Sequence, residues 1–294
     1  MIMLKSLFTA FCAAAAIIAF AEAPQPAGYW KLDDGEGKVV KSSVENVPAG
    51  TIFNIQNTKW VDGRKGGKAL YFCGDPEKKK QGGCVRVPTK TIFDNTKPFS
   101  ISFWTMPESR AVMKREANYE LVSNTVSDRG PGLRICFACN VVNTGSGDGK
   151  KSTGISAVES KYPVKRSIWS HIAVTYDGKV LKLYVNGALA NSKEMSISKG
   201  RDYFLIGSYN TGAAYSFQGA ISDVKFYNVE LTGAQVMAEA KELDSEEKSY
   251  GICFLNETVA KLLILFANST RGDSREARLA PRAHVKVVSR INSC

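Results

Sequence analysis

Glu242, Asp244 and Glu247 form the one E-x-D-x-x-E string in this chain. Hydrolysis of a glycosidic bond usually needs two carboxylates flanking it, about 5 to 10 Å apart depending on mechanism. On a strand, alternate members of such a string would face one cleft. Here it falls in "TGAQVMAEAKELDSEEK" (232–248), which has helical composition and offers Thr232 as an N-cap. On a helix these acids do not line up into a cleft, so the string is read as chance. His171 and His284 come with no evident Ser-His-Asp or Cys-His setting, and His171 is read as structural.

The residues better suited to a ligand are aromatic and amidic. In the loop-rich stretch "GSYNTGAAYSF" (207–217), Tyr209 and Tyr215 offer stacking faces and Asn210 offers hydrogen bonds to hydroxyls. Ordinary loop residues are the other reading of the same stretch.

Something must hold such a loop, and the rest of the chain reads as short strands. "GYWKL", "KALYF", "CVRVP", "FSISFW", "GLRICFA", "HIAVTY", "KLYVNG", "YFLIG" and "ISDVKFYN" recur between Gly, Asn, Asp and Pro clusters from about residue 27 to 230. Many short strands without intervening helical patterns indicate a β-sandwich. "WSHIAVTYDGKVLKLYVNG" (169–187) is the clearest hairpin, alternating in period two on both sides of Asp177-Gly178. A type I′ turn at Asp177-Gly178 would set Ile172 opposite Leu183 and Val174 opposite Leu181, with Asn186-Gly187 as a second tight turn.

The first residues read as a targeting segment. Lys5 precedes the apolar run "LFTAFCAAAAIIAF", and small residues at 19, 21 and 23 fit cleavage, which is expected after Ala21. That gives a signal peptide at 1–21, a domain at 24–248 and a tail at 249–294, and an exported, extracytoplasmic protein. Neither the leader nor "VAKLLILFA" (259–267) is long enough for a comfortable membrane span.

Six cysteines remain after cleavage, at 73, 84, 136, 139, 253 and 294. An even count in an exported chain favours disulfides over zinc or a catalytic thiol. Cys136 and Cys139 are not expected to pair with each other while their segment stays extended, because they point to opposite faces of a strand. Cys253 and Cys294 could bridge within the tail or back to them. The net charge is +11, drawn partly from "EKKKQ" (77–81) and an Arg-rich tail. Solvated loop charge is the first reading, and attraction to acidic glycans or anionic surfaces the second. No motif for reading nucleic acid is present.

Several segments together resemble the laminin-G-like family with a concanavalin A-like lectin/glucanase jelly roll. They are "GYWKLDDGEG" (28–37), "WVDGRKGGKALYF" (60–72), "VRVP" (85–88), "FSISFW" (99–104), the 169–187 hairpin and "FQGAISDVKFYNVELT" (217–232), in family order over about residues 27–245. The resemblance implies an all-β sandwich of two antiparallel sheets with a short C-terminal helix. It places Trp30, Trp60, Trp104 and Trp169 at aromatic positions within or beside strands, so packing is preferred to sugar stacking for them.

The family pattern also makes "ALYFC" and "CVRVP" consecutive strands. The ten-residue connection between Cys73 and Cys84 is then expected to close as a hairpin with a disulfide at its base. Many such jelly rolls hold a structural calcium between the opening turn and an acid of the closing strand, which implies Asp33 and Asp223 as ligands. Ser222 stands where the family often has a second acid. Glucanases of this fold carry E-x-D-x-x-E on a mid-chain strand, which this chain does not. The resemblance together with the polar-aromatic loop points to a non-catalytic binding module for carbohydrate or a glycosylated surface, with Tyr209, Asn210 and Tyr215 of that loop as the candidate ligand residues. A structural or adhesion module acting through protein contacts is the alternative, and a glycoside hydrolase relative comes third.

Overall fold

The computed structural model describes residues 23–73, 82–109, 119–150, 152, 154–212 and 214–241. The leader, the tail, the Glu242–Glu247 string, His284, Cys253 and Cys294 lie outside the described residues. Among the described residues no helix is long and apolar enough to cross a membrane.

Two antiparallel sheets form the sandwich. The first contains β1 (Gly28–Trp30), β4 (Thr58–Asp62), β5 (Lys68–Phe72), β7 (Phe99–Pro107), β12 (Ser170–Tyr176), β13 (Val180–Val185), β14 (Ala188–Glu194) and β16 (Gly219–Tyr227). Its order is β14-β13-β12-β7-β16-β5-β4, with β1 also paired to β16. The second contains β2 (Val39–Val40), β3 (Gly50–Phe53), β6 (Cys84–Pro88), β8 (Tyr119–Ser123), β9 (Leu133–Ala138), β10 (Val141–Gly147), β11 (Ile155–Glu159) and β15 (Tyr203–Ile206). Its order is β11-β10-β9-β8-β15-β6-β3-β2.

Alternation along each strand sends one set of side chains inward. Phe99, Ile101 and Phe103 of β7, Ile172 and Val174 of β12, and Val224 and Phe226 of β16 meet Val85 and Val87 of β6, Leu133 and Ile135 of β9, and Phe204 and Ile206 of β15 in one buried cluster. Phe204 and Phe226 touch edge to face across the layers with ring centroids 4.9 Å apart. Trp30 is fully buried in this core, and Trp60 packs against it half-buried. Trp104 is also buried but points the other way, alternating with Phe103.

The outer face of the first sheet is covered by α1 (Gly233–Ala240). Thr232 caps this helix as expected: its hydroxyl accepts from Gln235 N at 3.3 Å, and Gln235 Oε1 accepts from Thr232 N at 2.9 Å. Val236 of α1 is buried with Ala173, Tyr184 and Tyr227 from strands of that sheet.

Two local expectations are corrected. In the hairpin of β12 and β13, Ile172 faces Val185, Val174 faces Leu183 and Tyr176 faces Leu181. The turn is therefore one residue further along, at Gly178-Lys179, and only Gly178 of that pair takes a positive φ, 103°. Asp177 takes no positive φ, and its Oδ1 instead accepts from Lys179 N at 2.7 Å and Val180 N at 2.6 Å. Period two preserves the faces, so the core is unaffected. The second turn is as expected: Val185 faces Ala188, and Asn186 and Gly187 have φ of 50° and 80°.

The second correction concerns Cys73 and Cys84. Strands β5 and β6 do not form a hairpin, because β5 pairs with β4 and β16 in the first sheet and β6 with β3 and β15 in the second. The chain crosses between layers there. Cys73 is an exposed free thiol and Cys84 a buried one.

Candidate functional site

Tyr209, Asn210 and Tyr215 sit on a loop that leaves the second sheet after β15 and returns to start β16. The backbone builds it tightly. Tyr209 N donates to Ala214 O at 3.0 Å and Phe217 N to Gly207 O at 2.8 Å, which closes the loop on itself. Ser208 Oγ donates to Ala214 O at 3.1 Å. Gly212 has φ of 90°, and its carbonyl accepts from Gly82 N at 3.1 Å. Asn54 Nδ2 donates to Gly82 O at 2.8 Å and Thr211 O at 3.2 Å, pinning the tip to the start of β6.

The loop brings the predicted residues together. The Tyr209 and Tyr215 rings meet edge to face with centroids 5.8 Å apart, and both are half-buried. Asn210 lies between them in sequence and is exposed, with φ of 49°. Beneath Tyr215 the second sheet carries a charged pair on its outer face. The Arg134 guanidinium carbon lies 5.8 Å from the Tyr215 ring centroid, and Arg134 Nη2 is bonded to Glu120 Oε1. Cys136 Sγ donates to Glu120 Oε2 at 3.4 Å, and Arg134 Nη1 to Asp128 O at 2.8 Å. Burial pushes the Glu120 carboxyl above its usual range, and the Arg134 charge pulls against it. Glu120 is wholly buried, so no substrate in solvent touches it as a general acid or base.

The outer face of the same sheet continues the aromatic and cationic pattern. Phe53 of β3, Arg86 of β6 and Tyr203 of β15 alternate with core residues Ile52, Val85 and Phe204, so they point outward as diagonal neighbours on adjacent strands. The Arg86 guanidinium carbon is 4.6 Å from the Phe53 ring centroid and 5.4 Å from that of Tyr203. Arg201 stands 5.7 Å from the Tyr203 centroid and 5.9 Å from that of Tyr209. Phe53, Arg86, Tyr203, Arg201, Tyr209, Tyr215 and Arg134 thus run as one strip. Sequence reasoning missed every member but the two loop tyrosines. The one available signal was Arg86 and Arg134 at outward positions of otherwise apolar strands.

Asp33 and Asp223 are placed differently from each other. Strands β1 and β16 are neighbours, as the resemblance implies. Asp223 sits at a bulge of β16 with φ of 56°. Its Oδ1 accepts from Tyr29 OH at 2.7 Å, its Oδ2 from Ser222 Oγ at 2.9 Å, and Arg64 Nη1 lies 3.7 Å away. Asp33 is exposed. Calcium wants six to eight oxygens with carboxylates free to turn to it. Here the Asp223 carboxylate is committed to two hydroxyls and a guanidinium, and among the described residues no cluster of three or more His, Cys, Asp or Glu could hold a metal. The residues present do not fit that ion.

A second polar cluster lies under α1. The His171 and Trp104 ring centroids are 5.2 Å apart, the Arg64 guanidinium carbon lies 3.2 Å from the Trp104 ring centroid, and His171 Nε2 is 3.8 Å from Glu239 Oε2. Lys225 Nζ donates to Glu239 Oε1 at 2.9 Å, and Tyr227 OH is bonded to the same oxygen. Burial holds the imidazole down to about 4, against the pull of Glu239. His171 is therefore neutral and enclosed, a packing residue as expected.

A family model described as the concanavalin A-like lectin/glucanases superfamily matches residues 79–237. The chain is 26% identical over 191 residues to mouse pappalysin-1, covering 58% of this chain and 11% of that protein. It thus spans about a tenth of that relative's length. Among solved structures, domain 4 of a GH43 extracellular arabinanase from Geobacillus stearothermophilus, in complex with arabinotriose, matches 74% of this chain and 98% of its own at 21% identity, with a TM-score of 0.50. The binding domain of Paraclostridial Mosquitocidal Protein 1 matches 73% of this chain and 51% of its own at 17% identity and a TM-score of 0.55. A botulinum neurotoxin serotype D/C binding domain matches 75% of this chain and 52% of its own at 14% identity and a TM-score of 0.56. At these identities the likenesses show a shared fold.

Proposed function

This chain belongs to the concanavalin A-like lectin/glucanase superfamily, and from that premise we propose that it is an exported, non-catalytic binding module. Its domain is residues 24–248, behind a signal peptide at 1–21, and its ligand is carbohydrate or a glycosylated surface. The observation that carries this reading is the Tyr209–Tyr215 ring pair, held on a closed loop with the Asn210 amide exposed beside it. A sugar ring stacks on an aromatic face through its C–H side while amides fix its hydroxyls. The toxin binding domains of the same fold, and the arabinanase domain solved with arabinotriose, support the class of function. One such loop is expected to give a Kd of about 0.1–1 mM.

A glycan-array screen of the full chain and of the Tyr209→Ala/Tyr215→Ala variant, each with and without calcium, tests this. Binding by the first and not the second supports the site. Binding to protein partners alone, with a silent array, favours the adhesion alternative. Release of reducing sugar from β-glucans would reinstate the hydrolase reading.

A further inference from the structure

The geometry points to an anionic oligosaccharide, one bearing carboxylate or sulfate groups, as the ligand of the strip that Phe53, Arg86, Tyr203 and Arg201 add to the tyrosine loop. This inference rests on the binding reading above and names the ligand's chemistry. The strip holds positive charge that has no internal use. Arg134 is neutralised by Glu120, Arg64 by Asp223, and Lys225 by Glu239. Arg86 and Arg201 have no carboxylate within ion-pair distance among the described residues. The Arg86 side chain is exposed and makes no hydrogen bond there, and the Arg201 guanidinium donates only from Nη2, to Val126 O at 3.0 Å.

Two unneutralised guanidiniums flank one aromatic ring, 5.4 and 5.7 Å from the Tyr203 centroid. Each guanidinium lies within cation–π reach of aromatic rings, and a guanidinium with uncommitted donors offers two of them at once to a carboxylate or sulfate. Rings and cations alternate from Phe53 through Arg86, Tyr203 and Arg201 to Tyr209, as repeating sugars and acidic substituents do along a charged glycan. The acids nearby do not cancel this pattern. Asp202 is paired with Lys90 at 3.8 Å, and Glu120 is buried beneath Arg134. Asp128 is the remaining acid near Tyr209.

The test titrates the full chain with three probes of equal length. They are tetragalacturonate, which carries carboxylates, an ι-carrageenan tetrasaccharide, which carries sulfates and no carboxylate, and neutral maltotetraose. At least one acidic probe is expected to bind about tenfold or more tighter than maltotetraose at low salt, since charge-assisted hydrogen bonds are the stronger ones. That margin is expected to shrink in about 0.5 M salt. Arg86→Gln, at an exposed side chain, is expected to remove most of the margin with an unchanged melting temperature, and Arg201→Gln to do the same. Whichever acidic probe binds identifies carboxylate or sulfate as the preferred group.

Equal, salt-insensitive binding of maltotetraose overturns the inference and leaves the tyrosine loop as a neutral-sugar site. Undiminished acidic binding by Arg86→Gln overturns it as well. Failure of all three probes together with a silent glycan array removes both this inference and the reading beneath it.

Discussion

Arg64 Nη1 stands 3.7 Å from Asp223 Oδ2, and its guanidinium carbon lies 3.2 Å from the Trp104 ring centroid. A protein cation therefore sits against the closing-strand acid where a bound metal would have to compete with it. The Arg64 side chain is only 5% exposed, and that of Asp223 is 29% exposed, so solvent screens the pair in part. Arg64→Ala is expected to lower stability by about 2 kcal/mol through lost pairing and ring contact. Neither EDTA nor millimolar calcium is expected to move the melting temperature of the wild type. A calcium-dependent rise that Asp223→Asn abolishes would contradict this.

His171 makes stability depend on pH in a defined direction. Its folded pKa is held down to about 4 by burial, below the 6.5 of a free imidazole, while Glu239 of α1 and Asp223 of β16 pull it up and Lys225 and Arg64 push it down. Between these two values the unfolded chain binds the proton and the folded chain does not, so stability falls as pH drops from about 6.5 towards 4. Burial pushes the Glu239 carboxyl up, but Lys225, His171 and Tyr227 together hold it below its usual range, so it loses stability on acidification too. Urea midpoints across this range are expected to slope downward with acid, and His171→Gln to flatten the upper part of the slope. An identical slope in the variant would contradict the assignment.

Thiol reactivity separates three cysteines. Cys73 is exposed, whereas Cys84 and Cys136 are buried in strands of the second sheet. Burial pushes the Cys84 thiol up to about 12, so little thiolate is present at neutral pH. Native maleimide labelling followed by peptide mapping is expected to modify Cys73 rapidly and the other two only after unfolding. Recovery of a Cys73–Cys84 disulfide peptide would contradict the cross-layer placement.

The strands could be read from the sequence because alternation is local. "KALYF", "CVRVP" and "FSISFW" each carry their own inward and outward sets, and Thr232 announces the helix start. The Gly178 turn was misplaced by one residue because Asp177 has two uses in a turn, taking a positive φ or accepting from its own backbone, and composition does not choose between them. The cysteine hairpin failed for a longer-range reason: whether a connection stays in its sheet or crosses to the other is decided by packing. Phe53, Arg86 and Tyr203 were invisible on the same ground. They become neighbours only because β3, β6 and β15 pair, and nothing in their own segments states that pairing.

The tyrosine loop depends on its glycines. Gly212 holds φ of 90° with its carbonyl against Gly82 N, a conformation that costs an L side chain about 1–3 kcal/mol. Gly212→Ala is expected to loosen the loop and weaken glycan binding severalfold, with a smaller effect on global unfolding. Binding equal to wild type in that variant would show that loop geometry does not set the affinity.

The most direct measurement titrates the strongest array ligand into the wild type and the Tyr209→Ala/Tyr215→Ala variant, with the melting temperature of both recorded. The wild type is expected to bind with a Kd of about 0.1–1 mM, or roughly 4–5.5 kcal/mol, and the variant not to bind measurably. Its melting temperature is expected to stay close to wild type, since loop substitutions usually cost little stability. Undiminished binding in a folded double variant, or no glycan ligand for the wild type, would contradict the account.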